Sequence, residues 1–371
     1  MADKGINRRE FIRNSAVAAG AVAAGLGGNF VASAADTADV KKTRSYNPDM
    51  DYRRLGATGL WVSSVCLGGH WKRVNVVTGR KGIPSYAPGK NAEDNKVLRQ
   101  NRYDVLTRCM ERGINYVDAC TKGEISVYGP ALKGRRDKMY MGFAMWPECP
   151  RNKKYRTATQ LLKTLEEGLK LAQVEYVDVW RLVADSGKGH GEADELEFIK
   201  AFETAKKQGK ARFTGVSSHS RKWLKHLVET YPKHYQVVLF PYTVQTKELP
   251  KDSLFEAIRK QDIGSFGIKP FASNSLFKKI DRDKTKSASA KAEAKAAIAR
   301  LTIRYILGNP ALTAPIPGLA CVEEVDNMAL AIKEHRKALT AKETTEIERI
   351  GAETFANLPP EYKWLKNWEY V

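Results

Sequence analysis

What most constrains this chain is an alternation that begins near residue 50: a short apolar run, then a longer amphipathic stretch, then another short apolar run. The apolar runs fall at Val65 to Leu67, Asn115 to Asp118, Met139 to Phe143, Tyr176 to Arg181, Phe213 to Ser217, Val237 to Phe240, Ser265 to Ile268 and Ala314 to Ile316. Between them, stretches such as Ala158 to Leu171 place Leu161, Leu162, Leu165 and Leu169 on one helical face. Strands alternating with helices predict an α/β protein with a parallel sheet. One (β/α)8 barrel of ~250 residues plus insertions accounts for 371 residues, 43% of them hydrophobic, without a second domain. The first strand is followed by an extended loop, residues 70–95, rich in Gly, Lys, Pro and Asn, before a helix over Lys96 to Arg112. A loop there sits at the catalytic mouth of such a barrel, as a lid or as an ornament.

The first 34 residues are of another kind. Asn7-Arg8-Arg9-Glu10-Phe11-Ile12-Arg13 precedes an Ala/Gly-rich run from Ser15 to Gly28 and then Ala32-Ser33-Ala34. These three parts, in order, match a twin-arginine signal peptide with a small-x-small cleavage site. The expected organisation is a signal over 1–34, a linker over 35–49 and a barrel over 50–371. The expected destination is the periplasm, reached through the twin-arginine export machinery, with no stable membrane span after cleavage. The net charge of +20 is diffuse, and nucleic acid is a poor partner for an exported chain. Cys66, Cys109, Cys120, Cys149 and Cys321 contain no C-x-x-C pair, which argues for buried thiols and against a metal cluster.

Several segments, taken together and in order, resemble the aldo-keto reductase superfamily. Met50 to Gly69, MDYRRLGATGLWVSSVCLGG, is similar to that family's opening hairpin and first barrel strand. Gly113 to Trp146 has the frame of its active site, and YVDVWRLV, GKARFTGVSSHS, VVLFPYT, IGSFGIKPF and IRYILGNPALTAPIPGLACVEEVDN follow. The resemblance implies a TIM barrel with an N-terminal β-hairpin, and a nicotinamide-dependent oxidoreductase acting on a carbonyl or sugar-like small molecule. It also implies a tetrad of Asp, Tyr, Lys and His, of which only Asp118 is present. The Tyr position falls at Gly123, the Lys position at Ala144 and the His position at Val183. A phenol is a weak acid unless a nearby cation stabilises its phenolate. Ordinary aldehyde reduction is therefore expected to be slow or absent.

The resemblance also suggests where a dinucleotide would lie. Ser217 and Ser218 would meet the nicotinamide carboxamide, although Leu239 and Ile268 replace the expected glutamine and aromatic ring. Lys269, Asn274 and the Gly318 turn would meet the pyrophosphate. Glu323 and Glu324, with no cation beside them, would repel a 2′-phosphate and accept from a ribose hydroxyl, which favours tightly bound NAD(H) over NADP(H).

Asp118 needs a cationic partner inside the barrel. Arg181 stands two residues before Val183, so strand alternation turns both side chains inward. Lys122 and Lys269 stand at neighbouring strand ends. Any proton transfer is expected to use Lys122, His70 or His219. Two other readings stay open at this stage: a catalytically silent barrel that binds a ligand or partner, and a metal-dependent sugar isomerase or lyase using His70, Asp118 and His219 with Glu124 nearby. The aromatic tail Tyr362, Trp364, Trp368, Tyr370 serves any of these as a wall over the pocket or packs against the barrel.

Overall fold

The computed structural model describes residues 39–69, 96–184 and 189–371. A hairpin, β1 (Tyr52–Arg54) and β2 (Trp61–Ser63), comes first, and α1 (Lys96–Glu111) follows later in the chain. Then come β3 (Tyr116–Thr121), α2 (Lys122–Ala131), β4 (Tyr140–Trp146), α3 (Ala158–Ala172), β5 (Val177–Val183), α4 (Glu192–Lys207) and β6 (Ala211–Ser217). The chain continues through α5 (Arg221–Thr230), β7 (Val237–Pro241), α6 (Leu254–Lys260), β8 (Gly264–Ile268), α7 (Lys278–Arg282), α8 (Ala288–Ile306), β9 (Ala314–Pro315), α9 (Val322–His335) and α10 (Ala341–Ala356). It ends in a 3-10 segment, Pro360–Trp368.

Strands β3 to β9 form one curled parallel sheet in sequence order. Its two edges are joined through the residues after the hairpin. Leu67 bridges Val117 and Gly68 bridges Gly318, and Cys66 N–H donates to the Pro315 carbonyl at 3.0 Å. The result is a TIM-like barrel whose first stave is reduced to Cys66–Gly68. The interior is filled by Cys66, Tyr116, Val179, Val237, Leu239, Phe266, Ala314 and Ile316, and the hairpin seals it from below with Leu55, Leu60 and Val62. A second, larger apolar layer lies between the strands and the helices, where Leu161, Leu165 and Leu169 of α3 are buried as their spacing predicts.

The floor of the barrel is tied by charge. Asp178, fully buried at the start of β5, accepts from Arg136 at 2.5 Å, Arg212 at 2.7 Å and Arg44 at 3.3 Å, and from the Met141 N–H at 2.9 Å. Burial alone would raise its pKa, but the three guanidinium groups and the backbone donor together hold the carboxyl far below the usual carboxylate range. Thr43 is buried next to Arg44 and donates to the Trp61 carbonyl at 2.6 Å. From Thr43 onward, the segment expected to be linker is thus packed on the floor. The expected signal, residues 1–34, and the loop over 70–95 with His70 lie outside the described residues. No helix among the described residues is long and apolar enough to cross a membrane.

Candidate active site at the open end of the barrel

The mouth opens into a cavity of about 710 Å3. It is lined by Asp118, Arg181, Trp146 and Arg151, by Ser217, His219 and Ile268, and by Gly318, Glu324 and Met328. The C-terminal tail packs beside it and adds Tyr362 to its wall. Trp368 stacks on Phe240 with ring centroids 5.8 Å apart and donates its indole N–H to the His219 carbonyl at 3.1 Å. Beyond it, Val371 and Lys247 pair main chain to main chain at 2.9 Å. So fixed, the tail lays Trp364 on the His219 ring, with centroids 4.0 Å apart.

At its centre Asp118 is paired with Arg181, one of the three cations that the sequence offered it beside Lys122 and Lys269. Arg181 Nε donates to Asp118 Oδ1 at 2.9 Å, and Nη2 donates to Oδ2 at 2.5 Å. The two side chains cross from β5 to β3 and are nearly closed to water, Asp118 at 5% and Arg181 at 3% exposure. Burial by itself would lower the arginine pKa. The Asp118 carboxylate more than offsets this, so the guanidinium is held charged. Cys120 lies in the same cavity, its thiol pushed up to about 11 by burial although Arg181 pulls it back.

The other positions expected to carry chemistry fall into two groups. Lys269, Asn274, Gly318, Glu324, Ser217 and His219 all line the cavity. Lys122, Ser218 and His70 are not seen there. Lys122 is the first residue of α2, and the helix start swings its amino group outward to Glu148 at 2.8 Å and Glu167 at 2.5 Å. Ser218 is fully buried, and its hydroxyl accepts from the Ser220 N–H at 3.0 Å inside its own loop. His70 falls outside the described residues.

His219 is in place but cannot serve as a ready acid. Burial, with Lys269 and Arg151 adding repulsion, lowers its pKa to about 2, so the imidazole is neutral at ordinary pH. Ala144 and Val183, where lysine and histidine would stand, pack together with Cys149 in a small apolar cluster. Glu124 does not face the cavity. It closes a capping box at the start of α2, accepting from the Cys120 N–H at 2.6 Å, and its carboxylate fills the space that a side chain at Gly69 would need.

The phosphate-facing end is shaped by backbone. Lys269, Ser273 and Asn274 all have positive φ, at 60°, 55° and 68°, which turns the β8 loop tightly under the cavity. Glu324 accepts from the Ala320 N–H at 2.7 Å, so it caps the start of α9 as well as lining the cavity. Sequence reasoning missed Arg151, in the loop after β4, and the contribution of α8 through Glu293 and Lys295. Neither belongs to a motif, and only the path of the loop and the helix brings them in. None of the five cysteines is in a disulfide. Among the described residues no group of three or more His, Cys, Asp or Glu could hold a metal ion.

Residues 88–352 match the model of the aldo/keto reductase family. An L-galactose dehydrogenase from Arabidopsis thaliana is 23% identical over 322 residues, spanning 81% of this chain and 94% of its own length. An aldo-keto reductase from Bacillus halodurans in its holo form superposes with a TM-score of 0.59 at 19% identity, covering 81% of this chain and 96% of that one. One from Klebsiella pneumoniae, solved with NADP and acetate, superposes with a TM-score of 0.59 at 18% identity, covering 81% and 95%.

Proposed function

Since this chain belongs to the aldo/keto reductase family, we propose that it is an oxidoreductase working with a nicotinamide dinucleotide on a carbonyl- or polyol-bearing small molecule, with residues other than the usual tetrad at its centre. One observation carries the reading: the cavity is continuous from the Asp118–Arg181 pair to the Glu324 turn, which gives room for a reacting group at one end and an extended cofactor along the rest. The residues present fit such a cofactor best at the phosphates, where the β8 loop, Lys269 and the Gly318 turn would hold it. The NADP complex of the Klebsiella relative and the galactose dehydrogenase relative support the class of cofactor and of substrate.

The dinucleotide supplies or takes up the hydride when bound. This chain's own residues orient and polarise. Arg181, kept charged and fixed by Asp118, presents its guanidinium to the oxygen of the reacting carbon and stabilises negative charge developing there. With its pKa raised it does not act as the acid itself. His219, neutral and with its pKa lowered to about 2, is too weak a base to take a proton from an alcohol, and its role is a hydrogen bond that orients the reacting oxygen. Tyr362, on the tail that Trp364 and Trp368 hold against the barrel, narrows the access of water. Glu323 and Glu324 favour NAD(H) over NADP(H) by repelling a 2′-phosphate. We further propose that residues 1–34 direct export through the twin-arginine pathway, so that the cofactor is carried across already bound.

The test is to denature the purified mature protein and identify the released small molecules by mass spectrometry. Recovery of NAD(H), or its binding in a titration, is expected; neither occurring overturns the reading. A second reading, a barrel that binds without turnover, is favoured by the apolar packing of Ala144, Val183 and Cys149 over two tetrad positions. Ligand binding with no redox change of any added dinucleotide would select it.

A further inference from the structure

Arg151 is a cavity cation that neither the hairpin, the tail nor the Asp118–Arg181 pair accounts for. It lies in the loop after β4, on the Cys149 and Arg181 side of the cavity, where its charge acts on both Cys149 and His219. Its Nε is buried without a hydrogen-bond partner, and it forms no ion pair among the described residues. Arg151 thus stands on the cavity wall as a half-buried cation with no carboxylate to balance it among the described residues. An anionic group on a ligand is the simplest complement to such a charge. The dinucleotide does not provide one. Its phosphates would lie against the loops after β8 and β9, at Lys269, Asn274 and Gly318, across the cavity from the loop after β4.

The surroundings of Arg151 narrow the ligand. Trp146 and Tyr362 line the same cavity, and aromatic walls suit the C–H side of a ring. The Trp364 ring is stacked on His219 and lies 5.6 Å from the Lys269 amino group. We infer that the substrate is a sugar-like molecule carrying an anionic group, a carboxylate or a phosphate, which Arg151 grips at the rim while Trp146 and Tyr362 hold the ring and Arg181 meets the reacting oxygen. This rests on the reading of the cavity as the substrate site of an oxidoreductase. It adds the charge of the substrate and the residue that selects it. A guanidinium suits either anion because it donates two parallel hydrogen bonds.

The test is calorimetric titration of the mature protein with galactose, galacturonate and galactose 6-phosphate, repeated on Arg151→Gln and Arg151→Lys. At least one anion should bind about tenfold or more tightly than galactose, as a charge-assisted hydrogen bond implies. The preference should disappear in R151Q and largely return in R151K. Whichever of galacturonate and the phosphate binds better identifies the anion. Equal binding of all three, no binding of either acid at millimolar concentration, or a preference that survives in R151Q overturns the inference. Dinucleotide binding is followed separately by NADH fluorescence. Sugar-acid binding without dinucleotide binding removes only the oxidoreductase reading; dinucleotide binding without an anion preference removes only this one.

Discussion

Replacing Asp118 by Asn tests the centre of the site. The wild-type carboxylate takes two hydrogen bonds from Arg181, at 2.9 Å and 2.5 Å, in a place where both side chains are almost closed to solvent. The amide keeps the shape and one acceptor oxygen but removes the negative charge, so the buried guanidinium is left uncompensated. Breaking such a pair by removing one partner costs about 3–5 kcal/mol. Replacing both partners with apolar groups of similar volume, as in Asp118→Leu with Arg181→Met, removes the orphaned charge and should recover most of that loss. Urea unfolding of the three proteins at neutral pH gives the numbers, with the midpoint at constant slope as the readout. A single variant within about 1 kcal/mol of wild type, the range of an exposed ion pair, would show that the pair is solvent-screened. A double variant as unstable as the single one would show that the cost lies in packing and not in charge. Both variants should lose redox turnover, because the polarising group is unfixed in one and absent in the other.

Three further outcomes are expected. His219 has a folded pKa of about 2 against an ordinary 6.5, so the unfolded chain takes up a proton that the folded one refuses. Its stabilising contribution is therefore complete above pH 6.5 and is lost as pH falls toward 2, at on the order of 1.4 kcal/mol per pH unit; His219→Gln should flatten the stability profile between about pH 6 and 4, and an unchanged slope would refute the assignment. Titration with both dinucleotides should show tighter binding of NAD(H), and Glu323→Gln with Glu324→Gln should narrow the difference; tighter NADP(H) in the parent protein would mean that these carboxylates do not face the ribose. Replacing Arg8 and Arg9 with Lys should keep the chain in the cytoplasm with its first 34 residues attached, because Lys copies the charge of the guanidinium pair but not its shape; fractionation that finds the double variant exported and cut after Ala34 would contradict it.

The strand positions were legible because barrel strands read as short apolar runs. Seven of the eight expected runs overlap regular strands of the sheet, with ends shifted by up to three residues, as where Met139 to Phe143 became Tyr140–Trp146. The first run, Val65 to Leu67, was placed correctly but joins the barrel by bridges and single hydrogen bonds, since its neighbours offer only β3 and the two-residue β9 to pair with. The Asp118–Arg181 pair was legible for the same reason as the strands: alternation fixes which side chains point inward. Lys122 was placed at the mouth by its nearness to a strand end, but it already belongs to a helix, and helical geometry carried it to the outer face. Arg151 was not legible at all. Its place depends on the path of the loop after β4, and no period of two or of three and a half runs through a loop.

The three arginines around Asp178 also orient the molecule. Through Arg44, bound to Asp178, and Thr43, bound to the Trp61 carbonyl, the chain is fastened to the closed floor before the first strand begins. That attachment lies at the opposite pole from Arg181, so the charge that ties the floor and the charge that faces a ligand are separated by the whole length of the barrel interior, and a change at one should leave the other undisturbed.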